Sequence, residues 1–136
     1  MPARPLPPVI GATENALRPL LTHALAASLI GGYEEWVYLN VRERSDDPAL
    51  VEELVGDALK QPGEVVTAVR ARLVDSGLLD TEGSLTASGR EQVNRLRETV
   101  SEMTQALTAG IDPASLQATI DTLDIVRTRA EQLFAS

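Results

Sequence analysis

The chain contains no cysteine, which excludes disulfides, thiolate catalysis and cysteine-based zinc sites. Its one histidine, His23, cannot by itself make a histidine metal site within one chain, so no metal is expected. Aromatic residues make up only 3% of the sequence. The core must therefore be built from Leu, Val, Ile and Ala, which suits helix packing better than a β-sandwich. No apolar run is long enough to span a bilayer, and the N-terminal MPARPLPPVI lacks the apolar stretch of a signal peptide. The expected compartment is the cytoplasm, with no membrane partner. No histidine stands beside a serine, and no phosphate-cradling glycine loop or nucleotide-binding fingerprint occurs. Neither catalysis nor a cofactor is expected.

What is present is a chain of 136 residues, 43% hydrophobic, with a net charge of −8. That length suits one domain with a real core. Pro2, Pro5, Pro7 and Pro8 predict a flexible, poorly ordered arm or an extended lead-in over residues 1–12. Leu17, Leu20, Leu21, Ala24, Leu25 and Ser28 keep helical spacing, which predicts a first helix from Thr13 to about Leu29. His23 lies one position off that stripe; it reads as a surface or partly buried residue, with a pH-sensing role at a dimer interface as the sharper alternative. The second helix is predicted from Tyr33 to about Arg44. Asp46-Asp47-Pro48 is a helix-start signal, giving a third helix to about Leu59 with Val51, Leu54, Val55 and Leu59 inward. A fourth follows over about Gly63 to Ser76. A long fifth runs from about Ala87 to Thr108, with Val93, Leu96, Val100, Met103 and Leu107 in a near-heptad stripe. Asp112-Pro113 repeats the start signal for the last, whose Leu116, Ile120, Leu123, Val126, Ala130 and Leu133 share one face. The terminal helices carry more apolar stripe than a small domain can cover, and a homodimer is the economical solution.

The chain is organised around the stretch from Pro62 to Arg90. Val66, Val69 and Leu73 give the fourth helix one apolar face, and Gly77 stops it. Leu78-Leu79 and Ser84-Leu85-Thr86 read as two short strands around the turn Asp80-Thr81-Glu82-Gly83. Thr86 or Ser88 is the N-cap of the fifth helix, and Ser88 with Glu91 has capping-box spacing. The phrase Arg72-Leu73-Val74-Asp75-Ser76-Gly77-Leu78-Leu79, followed by Leu85-Thr86-Ala87-Ser88-Gly89-Arg90, resembles the recognition helix and wing of the MarR family of bacterial winged helix-turn-helix transcription regulators. The resemblance implies a mainly α fold of about six helices and a short two-stranded wing. It places a winged-helix lobe at 33–90 and dimerisation helices at 13–32 and 91–136 of a single domain, 13–136. It further implies a homodimer on a pseudo-palindromic stretch of double-stranded DNA, with a small-molecule effector.

A winged helix needs cations and small polar donors on the outer face of its recognition helix, and a cation in its wing. The residues available for DNA binding are Lys60, Gln61, Thr67, Arg70 and Arg90, with Arg42, Arg44 and Glu64 as lesser candidates. Arg70 and Arg72 lie about 200° apart around a helix and do not share a face. Tyr33, Trp36 and Tyr38 read as core packing or as aromatic walls of an effector pocket. The charge runs against DNA binding. The wing tip is acidic where the family's wings carry arginine, and from Tyr33 to Arg90 six cations face twelve acids. An alternative therefore stands beside the regulator: a winged-helix dimer that has lost duplex binding and works as a ligand-sensing or protein-interaction module. The potential over the fourth helix and wing separates the two.

Overall fold

The computed structural model of the chain describes residues 4–135. Over that span it contains six α-helices, α1 (Leu6–Ala26), α2 (Tyr33–Arg44), α3 (Pro48–Leu59), α4 (Gly63–Asp75), α5 (Ala87–Thr108) and α6 (Pro113–Ala135). They fall into two compact units, Met1–Ser101 and Glu102–Ser136.

In the first unit, α4 packs against both α2 and α3, and α1 packs on α2. Leu39 of α2, Val51 and Val55 of α3, and Val66, Val69 and Leu73 of α4 are fully buried. Leu54, expected inward, is exposed instead. It sits about 100° round the helix from Val55, off the buried face. Val93 and Leu96 of α5, Ala24, Leu25 and Ile30 around the end of α1, Tyr38 of α2, and Leu78 and Leu79 after α4 also belong to the core.

The start of α1 corrects the expectation of an arm over residues 1–12. Residues 1–3 lie outside the described residues, but helix begins at Leu6, with Pro5 as N-cap and proline in the first turn. The first N–H groups of a helix have no intrahelical acceptor, so Pro7 and Pro8 lose nothing there. Pro19 is accommodated inside the same helix.

The two Asp-Pro signals act as expected. Asp47 accepts a hydrogen bond from the Ala49 N–H at 3.1 Å, and Asp112 accepts one from the Ser115 N–H at 3.1 Å. Helix α4 ends in a Schellman arrangement: Gly77 takes φ +78°, its N–H donates to the Val74 carbonyl, and the Leu78 N–H donates to the Leu73 carbonyl.

The expected pair of strands is reduced, among the described residues, to one antiparallel bridge between Leu79 and Leu85. The connection is too short for a ladder, because the turn itself consumes its middle. Asp80 Oδ1 accepts from the N–H groups of Glu82 and Ser84, each at 2.9 Å, an Asx-type closure.

Thr86, not Ser88, caps α5. Its Oγ1 accepts from the Gly89 N–H at 3.0 Å and donates to the Gly77 carbonyl at 2.6 Å. Ser88 lies inside the helix, so the Ser88–Glu91 capping box is not formed. One hydroxyl thus joins the end of α4 to the start of α5. Thr86→Val keeps the shape and removes both bonds, so it is expected to cost about 1–2 kcal/mol in chemical denaturation.

In the second unit, the end of α5 turns through Gly110, at φ +78°, into α6. No described residue of α6 is buried, and Ile120, Leu123, Ile125, Leu133 and Phe134 are exposed.

Candidate nucleic-acid interface and apolar groove

The burial of Val66, Val69 and Leu73 fixes the rotation of α4. With roughly 100° per residue, the stripe opposite that face runs through Glu64, Ala68, Ala71 and Asp75, with Thr67 beside it, all exposed. It holds two acids and no cation. Both arginines of α4 stand on its flanks, as their angular separation requires, and each is held by a neighbouring helix. Arg70 Nε lies 3.0 Å from Glu52 Oε1 of α3. Arg72 Nε donates to Glu35 Oε1 of α2 at 2.6 Å, with Glu34 at 3.5 Å from its Nη2. The surface expected to read DNA therefore has its helical cations neutralised sideways.

Thr67 and Arg70 line one shallow depression with Ala71, Val74, Asp75 and Thr81. Lys60 and Gln61 form the turn between α3 and α4. Lys60 takes the left-handed conformation at φ 54°, and its Nζ lies 3.3 Å from Asp57 Oδ1. Arg90 is exposed in the first turn of α5, and Arg44 is exposed at the end of α2.

Arg42, a lesser DNA candidate in the sequence, is built into the fold. Its side chain is only 13% exposed. Its Nε donates to the Gly83 carbonyl at 2.8 Å, Nη1 to the Ser45 carbonyl at 2.7 Å and Nη2 to Ser84 Oγ at 3.4 Å. It clamps the acidic turn onto α2. No sequence signal marks this role, because Gly83 lies 41 positions away. Arg97 of α5 does similar work elsewhere, donating to Asn40 Oδ1 at 2.9 Å and Glu43 Oε1 at 2.7 Å of α2.

The three aromatic residues of α2 do not share a wall. Tyr33 lines an apolar groove of about 300 Å³ against α1, with Leu17, Leu21, Leu25, Arg18 and Glu14. Arg18 Nε donates to Glu14 at 2.9 Å there. Tyr38 is buried in a separate hollow with Arg42, Glu52, Arg70 and Gly83. Burial, with Glu52 adding, pushes its hydroxyl above the ordinary tyrosine range. Trp36 is half-buried and lines neither hollow. Tyr38 lies five residues from Tyr33 and two from Trp36, about 140° and 160° away round the helix, so its ring goes to another side. His23 is exposed near the end of α1.

Among the described residues no cluster of three or more His, Cys, Asp or Glu could hold a metal ion, and no helix is long and apolar enough to cross a membrane.

The six helices of the described residues, with a tight turn between α4 and α5, have the architecture of a MarR family protein. The solved structure that shows this is the Mycobacterium tuberculosis MarR family protein Rv2887 in complex with salicylic acid: the match covers 90% of this chain and 98% of that one, with a TM-score of 0.62 and 20% identity. At that identity the likeness defines the fold. No family model and no curated protein sequence matches the chain.

Proposed function

We propose that the protein is a MarR-type transcription regulator that binds DNA as a homodimer under the control of a small ligand. The observation that carries this reading is the fold shared with a MarR family protein over nine-tenths of the chain. In it α4 is the recognition helix and the Asp80–Gly83 turn the wing. The helix around Thr67 and Arg70 enters the major groove, with Arg70 on its flank facing a phosphate, while Lys60, Gln61 and Arg90 stand beside it toward the backbone. A second copy covers the exposed leucines and isoleucines of α1 and of α6. The α1–α2 groove suits a small aromatic acid such as the neighbour's salicylic acid: leucines to enclose a ring, Tyr33 at the edge, and Arg18 for a carboxylate.

A second reading is favoured by the outer stripe of α4. Glu64 and Asp75 on that stripe, and a tip of Asp80 and Glu82, oppose phosphate. On this reading the dimer senses ligands or binds proteins without touching duplex DNA.

Two measurements test the proposal. In sedimentation equilibrium the protein is expected to be a dimer and the double variant Ile120→Glu/Leu123→Glu a monomer; a wild-type monomer refutes the dimer. Fluorescence anisotropy against duplex DNA from the protein's own upstream region is expected to show competitor-resistant binding that weakens steeply with salt. A folded dimer that fails to bind at low salt supports the second reading.

A further inference from the structure

We propose that Glu52 competes with nucleic-acid phosphate for Arg70, so that α4 is held in a low-affinity state until that ion pair opens. The inference rests on α4 being the recognition helix. Arg70 is flanked away from the outer stripe toward α3, where Glu52 Oε1 meets its Nε at 3.0 Å. The guanidinium edge that includes Nε is one that phosphate also uses in a bidentate contact. A carboxylate seated there must leave before phosphate enters.

Three features make the competition matter. Glu52 is more sheltered than a free surface acid, at 29% exposure, in the hollow that Tyr38 also lines. Arg72, the other cation of α4, is tied to α2 through Glu35, whose side chain is 13% exposed; it is committed to packing α4 on α2. The outer stripe of α4 supplies no cation at all. Both arginines are about half exposed and both reach across to a neighbouring helix, but the carboxylate that faces Arg70 is the more open of the two, 29% against 13% exposed, so the Arg70–Glu52 pair is the one that a side-chain rotation opens more readily. Glu52 decides whether Arg70 is redirected.

The test compares wild type, Glu52→Gln, Glu53→Gln and Glu52→Gln/Arg70→Gln. Anisotropy with a labelled random-sequence duplex is read over a series of salt concentrations. Glu53 is the exposed neighbour on α3, and its replacement makes the same charge change. Glu52→Gln is expected to bind about fivefold more tightly than wild type, and its log–log salt slope to steepen by about one ion per protomer. Glu53→Gln is expected to gain less with no change of slope, and the double variant to lose the gain. Wild-type binding that Glu52→Gln leaves unchanged, an equal gain in Glu53→Gln, or a gain that survives loss of Arg70 overturns the role of Glu52 alone. Absence of binding by every protein at low salt overturns the regulator reading, and this inference with it.

Discussion

Gly89→Ala is expected to lower stability by about 3 kcal/mol and the melting temperature by roughly 10 °C. A Cβ built on Gly89 falls 2.1 Å from the Leu78 carbonyl oxygen and 3.0 Å from its carbon, with Leu85 Cδ2 at 3.2 Å. No rotamer relieves this, since the obstacle is backbone. The first turn of α5 must move away from the Leu78–Leu85 connection. That movement opens the Thr86 bridge between Gly77 and Gly89 and loosens the fully buried Leu78. Gly63→Ala is the matched control: an added methyl there meets nothing within 4 Å, and a helical alanine is preferred to glycine. It is expected to leave stability unchanged or raise it slightly. A Gly89→Ala protein that melts with wild type would show that the close approach is not needed. The contact explains why glycine stands three residues after Thr86: the backbone of the turn passes where a side chain would be.

Arg42→Met carries the second large effect. Methionine keeps an apolar stem in the same space and removes the hydrogen bonds to Gly83, Ser45 and Ser84. Charged hydrogen bonds at a mostly buried position contribute about 1.5–3 kcal/mol each when a partner is left unsatisfied, and partial solvent access reduces the sum, so a loss of about 2–3 kcal/mol is expected. Asp80 still closes the turn locally, but without the clamp the turn opens more often. It undocks from α2. Amide exchange is the direct readout: Ser84, whose N–H is held by Asp80, is expected to exchange about tenfold faster or more. Arg44→Met, at an exposed site two residues on, is expected to change stability by less than about 0.5 kcal/mol. Equal behaviour of the two variants would refute the clamp.

The two cases divide along a line that recurs through the molecule. Local signals were legible. Asp47 and Asp112 cap the helices that their Asp-Pro pairs announced, Gly77 ends α4, and Val66, Val69 and Leu73 are the buried face that their spacing predicted. Each depends on residues within one or two turns, where geometry follows from chain identity. The misreading of residues 6–12 has the same local origin: proline breaks a helix interior but is tolerated in its first turn. The choice of Thr86 over Ser88 as cap turned on the Gly77 carbonyl, nine positions away.

The polar side chains were not legible. The sequence names no partner for Arg42, Arg70, Arg72 or Arg97. The fold makes the first a clamp on the turn, pairs the next two with Glu52 and Glu35, and spends the fourth on Asn40 and Glu43. The acidity of the presumed reading head could be counted from the sequence; that its helical cations are also engaged could not.

By itself the sequence determined the six helices, most of their ends, the apolar faces and the net negative charge, because these depend on neighbours along the chain and on composition. The tertiary structure decided which arginines are structural, that Tyr33 and Tyr38 line different hollows, and that Gly89 must have no side chain. Those properties depend on groups that meet only when α2, α3, α4 and the start of α5 pack together, and no spacing in the sequence encodes the distance between them.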